Sequence, residues 1–155
     1  MDKQLEVLSI SEQKTIAEAL LTMVSGYGFF PTAVTLKKIY WQSLDTTECI
    51  GIYTMAGALY LKKHIDGSFL AQFPFCIRYV CKPSNNSARV KKQDVLDSLG
   101  EWLETTELPL MTGDREIEAI GRTGTTYLAG ADASGNDIYQ CNFNLKYRKV
   151  VEREE

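Results

Sequence analysis

Histidine is nearly absent from this sequence: His64 is the single histidine among 155 residues. A serine or cysteine nucleophile needs a base close by, usually a histidine held by a third group. His64 stands between two lysines and Asp66 near a predicted turn, and neither Ser43 nor Ser68 lies in a sharp turn typical of hydrolases. The sequence therefore predicts that the chain is not an enzyme and that His64 is a surface residue.

Cysteine pairs with metal-binding spacing are also missing. The chain has four cysteines, and the two nearest in sequence, Cys76 and Cys81, are separated by four residues. Zinc sites usually need closer pairs or several histidines. All four cysteines fall in strand-like patterns, where cysteine behaves as a small apolar residue. We therefore expect free thiols, no metal site and no cofactor.

A strong charge imbalance and a long apolar run are both lacking. The net charge of −3 argues against a nucleic-acid binder that works by bulk charge. No apolar run approaches the ~18 residues of a membrane span, and residues 1–4 do not resemble the start of a signal peptide. With 45% hydrophobic and 24% charged residues, the composition predicts one soluble domain over residues 1–155, synthesised in the cytoplasm.

The clearest pattern that is present lies near the C-terminus. Residues 138–148 alternate strictly: Tyr139, Cys141, Phe143, Leu145 and Tyr147 share one face, and polar residues occupy the other. Turn-forming residues at 131–137 precede this strand, and strand-forming residues at 125–129 precede the turn. Residues 115–149 are thus predicted to form a long C-terminal β-hairpin.

Two amphipathic helices and three further strands complete the prediction. A capping box of Ser9 and Glu12 begins a helix over residues 10–25, and apolar spacing predicts a second helix over residues 87–106. The predicted strands cover residues 48–54, 59–65 and 69–82, and the last of them should be an edge strand or bulged at Pro74. The fold class is α+β, an antiparallel sheet with both helices on one face.

Two segments are less regular. Residues 31–45 are apolar without a clean period, so they form either an irregular strand or a packed loop. Residues 121–126 are rich in glycine and threonine, but they lack the lysine-containing end of a phosphate-binding loop. A bulge or kink between strands explains residues 121–126 better.

The second helix carries its charges in an unusual order. Arg89, Lys91 and Lys92 lie near its start, whereas Glu101, Glu104 and Glu107 lie near its end. The helix dipole favours the opposite order by about 0.3–1 kcal/mol per charge. One hypothesis is that the basic end of one subunit meets the acidic end of the next, closing a ring. The alternative is that surface charges tolerate so small a cost.

Three runs of sequence resemble minor capsid proteins of tailed phages from Gram-positive bacteria: residues 62–75, residues 99–104 and residues 139–147. The end of the first helix, residues 25–29, fits the same resemblance. The chain is similar to the tail terminators, or tail-completion proteins, of phages with long flexible tails. None of these runs is a catalytic signature.

The resemblance implies a structural protein of the virion neck or tail. It implies an α+β fold with a protruding hairpin, and a homohexameric ring that caps the tail tube and docks to the head connector. On this view Lys146, Arg148 and Lys149 line a lumen through which DNA passes, although an ordinary solvent-exposed sheet face explains them equally well. The alternative function is a small non-enzymatic domain that binds a peptide or protein.

Overall fold

The computed structural model describes residues 5–31, 38–83, 85–108, 110–112 and 114–151. Two helices and eight strands lie in this part of the chain. In chain order they are α1 (Ile10–Ser25), β1 (Ile39–Trp41), β2 (Cys49–Thr54), β3 (Leu59–Lys63), β4 (Phe69–Cys81), α2 (Asn86–Thr105), β5 (Leu110–Thr112), β6 (Arg115–Arg122), β7 (Tyr127–Ala131) and β8 (Asp137–Lys149).

One mostly antiparallel sheet contains all eight strands, and its centre is the pair β4 and β8. These two strands are each 13 residues long and pair along their whole length, from Phe69 opposite Lys149 to Cys81 opposite Asp137. Each is long enough to pair with two different strands on its other side. β2 and β3 follow one another along β4, whereas β7 and β6 follow one another along β8.

The sheet therefore consists of two five-stranded rows that share β4 and β8. The first row, called the upper row here, runs β1-β2-β4-β8-β7. The second, called the lower row, runs β3-β4-β8-β6-β5. Only β1 runs parallel to its neighbour; the other pairs are antiparallel.

The core lies between one face of the sheet and both helices, which confirms the predicted α+β fold. The alternating residues 139, 141, 143, 145 and 147 of β8 are all buried, as are the matching positions 73, 75, 77, 79 and 81 of β4. Ile16, Leu20 and Val24 of α1 pack on this face together with Leu96, Leu99 and Leu103 of α2. Burying these apolar side chains supplies most of the driving force for folding.

Pro74 confirms the expectation of a local edge within β4. The residues of β4 that pair with β3 end at Gln72, and those that pair with β2 begin at Phe75, so Pro74 lies in the gap. Its carbonyl accepts a hydrogen bond from the Met55 N–H at 3.1 Å across that gap. Because N–H and C=O of one strand residue point the same way, the missing donor of proline falls where no strand would need it.

The start of α1 differs in one respect from a capping box. Ser9 is the N-cap, and its hydroxyl accepts the Glu12 N–H at 3.2 Å, as predicted. The Glu12 side chain does not return to Ser9: it is buried, and it binds Arg115 and Tyr147 instead. The Ser9 N–H is left to the Tyr60 hydroxyl, at 3.4 Å.

The structure corrects the prediction of a single first arm in the C-terminal hairpin. That arm is divided into β6 and β7, because residues 123–126 leave the strand, consistent with the kink expected there. Residues 110–112, where no strand is predicted, form β5 and pair with β6. Within the irregular segment 31–45, residues 39–41 form β1, and residues 32–37 lie outside the described residues.

Candidate interaction surfaces

β7 is an edge strand with an exposed, uncharged surface. All five of its residues are exposed, and its two large apolar side chains, Tyr127 and Leu128, remain 44% and 48% accessible. β7 pairs with β8 on one side; on its outer side, none of its backbone groups bonds to any described residue. Edge strands usually carry charge, proline or a bulge that hinders pairing with other chains. β7 carries no charge and no proline, although its pairing with β8 shifts by one residue between Leu128 and Gly130.

The segment before β7 is fixed firmly to α2. The Thr126 N–H and hydroxyl both donate to Asp97 Oδ1, at 3.1 and 2.7 Å, and the Gln93 amide donates to the Thr126 carbonyl at 2.9 Å. Arg122 crosses Gly100 of α2 and pairs with Glu104, with 2.7 Å between Nη2 and Oε1. These contacts hold β7 in a defined position although its own side chains pack little.

A loop of residues 42–48 covers part of the open face, the face of the sheet away from the helices. A methyl group added at Gly51 would lie 2.6 Å from the Ser43 carbonyl oxygen and 2.7 Å from the Leu44 side chain. The loop is held by Asp45, whose carboxylate accepts Lys38 Nζ at 3.1 Å and the Thr46 N–H at 2.7 Å. The Lys38 ammonium, followed by these hydrogen bonds, lowers the pKa of Asp45 to about 2.

The rest of the open face is polar and internally bonded. Arg78 Nε donates to Gln140 at 2.9 Å and the guanidinium lies 4.5 Å from the ring centre of Tyr53, which is a cation–π distance. Gln140 in turn donates to Asn142 at 2.8 Å. In the upper row the aligned residues on this face are Tyr40, Gly51, Arg78, Gln140 and Tyr127.

A groove of about 520 Å³ lies between α1 and the edge of the sheet. Leu21 and Ala17 of α1 form one side, and Trp41 and Phe73 contribute apolar surface from the strands. Polar ends from Gln13, Lys14 and Glu18 border it. The groove is open and has the size of a small-ligand or peptide site.

Of the six charged residues singled out in and just after α2, three have a partner within the chain and three have none among the described residues. Arg89 lies 3.7 Å from the buried Asp137, Lys92 donates to the Lys82 carbonyl, and Glu104 is occupied by Arg122. The side chains of Lys91, Glu101 and Glu107 are exposed and form no hydrogen bond or ion pair with another described residue. The head-to-tail charge hypothesis therefore depends on these three residues.

The three residues predicted to line a lumen do not share one face. Lys146 and Arg148 are exposed on the open face, and Arg148 lies 3.2 Å from Glu116 and 3.5 Å from Glu118. Lys149 has the opposite parity along β8 and lies 3.9 Å from Asp114. Arg148 and Lys149 border a hollow of about 300 Å³ with Lys62 and His64.

Histidine and cysteine occupy the places expected from the sequence. His64 is exposed in the β3–β4 turn, and all four cysteines are buried free thiols. Burial raises the pKa of each thiol, that of Cys81 to about 11. Among the described residues, no cluster of three or more His, Cys, Asp or Glu side chains could hold a metal ion, and no helix could cross a membrane.

The sequence prediction missed a buried ionic cluster at the start of α1. Arg115 Nε lies 3.0 and 3.1 Å from the two oxygens of the Glu12 carboxylate, and Tyr147 donates to Glu12 at 2.9 Å. Burial, then the adjacent Glu12 carboxylate, raises the pKa of Tyr147. The cluster joins α1 to β6 and β8, from residues more than 100 positions apart. The sequence signal was ambiguous because Glu12 also suits a capping box.

The exposed edge of β7 was visible in the sequence only as composition. Residues 127–131 contain no charge and no proline, but their exposure depends on where the kink at 123–126 directs the chain. That direction is set by Asp97 and Gln93 in a different element.

Comparison with known proteins gives no functional assignment. No protein-family model matches the chain, and no curated protein matches it. One solved structure, whose name describes no activity, is 13% identical and aligns over 92% of this chain and 96% of that chain with a TM-score of 0.47. A similarity at that level supports no argument about function.

Proposed function

We propose that this chain is a structural protein of a tailed-phage particle that acts by self-association at the end of the tail. The observation that carries the proposal is the exposed, uncharged edge of β7. An edge strand of this kind is a ready template for pairing with another chain, and monomeric proteins usually disable it. Its presence on an otherwise well-packed domain favours a protein whose work is assembly.

The sequence resemblance supplies the biological setting for this assembly. Residues 62–75 correspond to the β3–β4 turn with its flanking strands, residues 99–104 lie in α2, and residues 139–147 form most of β8. The resemblance thus extends over the elements that build the core. On this basis the protein acts as a minor capsid protein, at the position of a tail terminator or head–tail joining protein.

Assembly into a homohexameric ring is the form that the resemblance implies. The ring would cap the tail tube on one side and meet the head connector on the other, within the neck of the virion. Lys146 and Arg148 are the candidates for a lumen wall, because both are exposed on the open face. Lys91, Glu101 and Glu107 are the candidates for charged contacts between neighbours. This role requires neither catalysis nor a cofactor.

Complementation of incomplete tails tests the proposal. Tail tubes are purified from an induced lysate of the phage whose gene for this chain is deleted, and the purified protein is added back. We expect it to decorate one end of each tube in electron micrographs and to allow joining to filled heads, measured as infectious particles. Tubes that already end normally in the deletion lysate, or that never bind the protein, would contradict the proposal.

A second candidate function rests on the groove beside α1. Its apolar floor of Leu21, Trp41 and Phe73, bordered by polar groups, would suit a short peptide. A displayed peptide library screened against the protein tests this reading. Selected peptides should lose binding to Ala17→Arg, which fills the groove, and keep binding to Lys62→Ala on another surface. Failure to select any sequence would exclude this function.

A further inference from the structure

Within the described residues no further strand pairs with either end of the upper row, and the two ends lie at the same level of the molecule. β2 pairs with residues 75–80 of β4, and β7 pairs with residues 137–140 of β8. Because β4 and β8 are fully aligned, β1 and β7 form opposite ends of one row about four strand spacings, or ~19 Å, apart. Tyr40 of β1 and Tyr127 of β7 are the terminal residues of one aligned line.

The lower row differs from the upper row, because one of its ends is covered and the other is only a very short strand. Residues 6–8 cover the outer side of β3: the Tyr60 N–H donates to the Glu6 carbonyl and the Leu8 N–H to the Ala58 carbonyl, both at 2.9 Å. β3 also ends in two lysines, which discourage pairing. On the other side the three-residue β5 is the edge strand, and it pairs with residues 115 and 116 of β6. In the upper row, no described residue hydrogen-bonds to the outer backbone of β1 or β7.

The strand directions make the two open edges compatible. β1 is parallel to β2 and therefore antiparallel to β4, whereas β7 is antiparallel to β8 and therefore parallel to β4. If a second copy in the same orientation continues the sheet, β7 meets β1 of that copy in antiparallel fashion, the pairing that is the more stable per residue.

We propose that β7 of one copy pairs with β1 of the next, so that the upper rows join into one continuous sheet. This inference rests on the proposed function and adds the surfaces and the partner: a second copy of this chain. The contact is heterologous, since two different edges meet. It therefore uses one edge of each copy to extend the assembly in each direction, as a ring requires. Pairing of β7 with β7 would instead stop at a dimer.

Disulfide trapping of engineered cysteines tests which edges meet. The four native cysteines are buried, so only the engineered thiols should form disulfides under mild oxidation. Tyr40→Cys and Tyr127→Cys are made as single variants, and they are oxidised mildly, each alone and mixed. We expect a covalent pair containing one copy of each variant in the mixture and none from either variant alone. The double variant should give a ladder of linked copies.

A matched control places the second thiol on another exposed apolar residue. Val90 lies on α2 and is 70% accessible, so Val90→Cys mixed with Tyr40→Cys should form no covalent pair. A dimer from Tyr127→Cys alone would overturn the assignment in favour of β7 pairing with itself. Absence of any specific pair in the mixture would overturn it altogether.

The outcome separates this inference from the proposed function. If no β1–β7 pair is trapped but the protein still caps tail tubes, the edge assignment is wrong and the function stands. If the pair is trapped but tail tubes are neither bound nor completed, the assembly surface is right and the phage function is wrong. Leu128→Lys should weaken self-association at least about tenfold, by placing charge on the paired edge, whereas Val90→Lys should leave it unchanged.

Discussion

At the residue scale, the buried carboxylate of Glu12 shows how one side chain can serve a role different from the one its local sequence suggests. Spacing from Ser9 made it a capping residue, and the Ser9 half of that prediction was right. Its side chain instead receives Arg115 and Tyr147, which arrive from β6 and β8. A partner 103 residues away leaves no local pattern in the sequence.

Removing Arg115 should destabilise the protein more than removing any exposed cation. Arg115→Met leaves the Glu12 carboxylate buried without its cation, which typically costs about 3–5 kcal/mol. Tyr147→Phe removes only one hydrogen bond and should cost about 1 kcal/mol. Urea unfolding followed by circular dichroism measures both.

The control for this pair is Arg148→Met, because Arg148 also forms two ion pairs but is 51% accessible. Its loss should cost less than about 1 kcal/mol, as is usual for surface ion pairs. Equal costs for Arg115→Met and Arg148→Met would show that the cluster at Glu12 is not buried as described.

The four thiols should be unreactive towards thiol reagents in the folded protein. Burial raises the pKa of the Cys81 thiol from 9.0 to about 11, and raises the others in the same direction. A thiol reagent at pH 8 should modify none of them quickly, and all four after denaturation. Rapid modification of any cysteine in the native state would contradict the packing.

The same shifts give stability a defined alkaline dependence. Between pH 9 and about 11 the unfolded chain loses thiol protons that the folded chain retains, so the folded state binds more protons. The free energy of unfolding should therefore fall as the pH rises through this range. Cys81→Ala should reduce that fall, measured from urea unfolding at each pH.

At the scale of elements, both helices and the strands of five residues or more could be located from the sequence, and the two three-residue strands could not. Alternation over 11 residues identifies β8, and helical apolar spacing after Ser9 identifies α1. Both patterns are regular because the buried face needs an apolar residue at every second position of a strand and at every third or fourth position of a helix. β1 and β5 have three residues each. Strands this short form because they pair with the edge of a neighbouring strand, and the local sequence does not show which neighbour will be there.

The kink between β6 and β7 is held by α2 through Asp97. Asp97→Ala removes both hydrogen bonds from Thr126 and should lower stability by about 1–3 kcal/mol, since the Thr126 side chain is buried. Asp94→Ala is the matched control, because Asp94 is exposed and accepts a hydrogen bond from Ser98 in its own helix. Hydrogen exchange should quicken in residues 123–131 of the first variant alone; unchanged exchange there would contradict the anchor.

The loop over the open face demands glycine at position 51. Gly51→Ala would push a methyl group against the backbone of Ser43 at 2.6 Å, so the loop must shift, at a cost of about 1–3 kcal/mol. Gly124→Ala is the comparison, since nothing lies within 4 Å of the added methyl group. Thermal unfolding of the two variants measures the difference. Equal melting temperatures would mean that residues 42–48 do not lie against β2.

At the scale of the whole molecule, the arrangement depends on two strands long enough to serve two rows. The sequence predicted the length of β4 and β8 from their alternation, and hence an antiparallel sheet with helices on one face. It did not predict which half of each strand would pair with which neighbour. Those registers follow from the gap at Pro74 and the kink at 123–126, whose effects appear only when the strands are placed side by side.

The candidate site was predictable only in part for the same reason. Charges on α2 stand out in the sequence, yet three of the six are occupied within the chain. The edge of β7 has no motif, and its significance comes from its place at one end of the upper row, opposite β1. Because the position of β7 depends on the order of the strands in the sheet, its exposed edge can be recognised only in the folded structure.

Absolute mass in solution, measured by light scattering over a wide concentration range, tests the central claim of self-association most directly. We expect the protein of 17.4 kDa to grow with concentration towards a closed ring of several copies, near six for the hexamer that the resemblance implies. Leu128→Lys should remain a monomer where Val90→Lys assembles like the unmodified chain. A monomer at every concentration, or assembly unaffected by Leu128→Lys, would contradict the account.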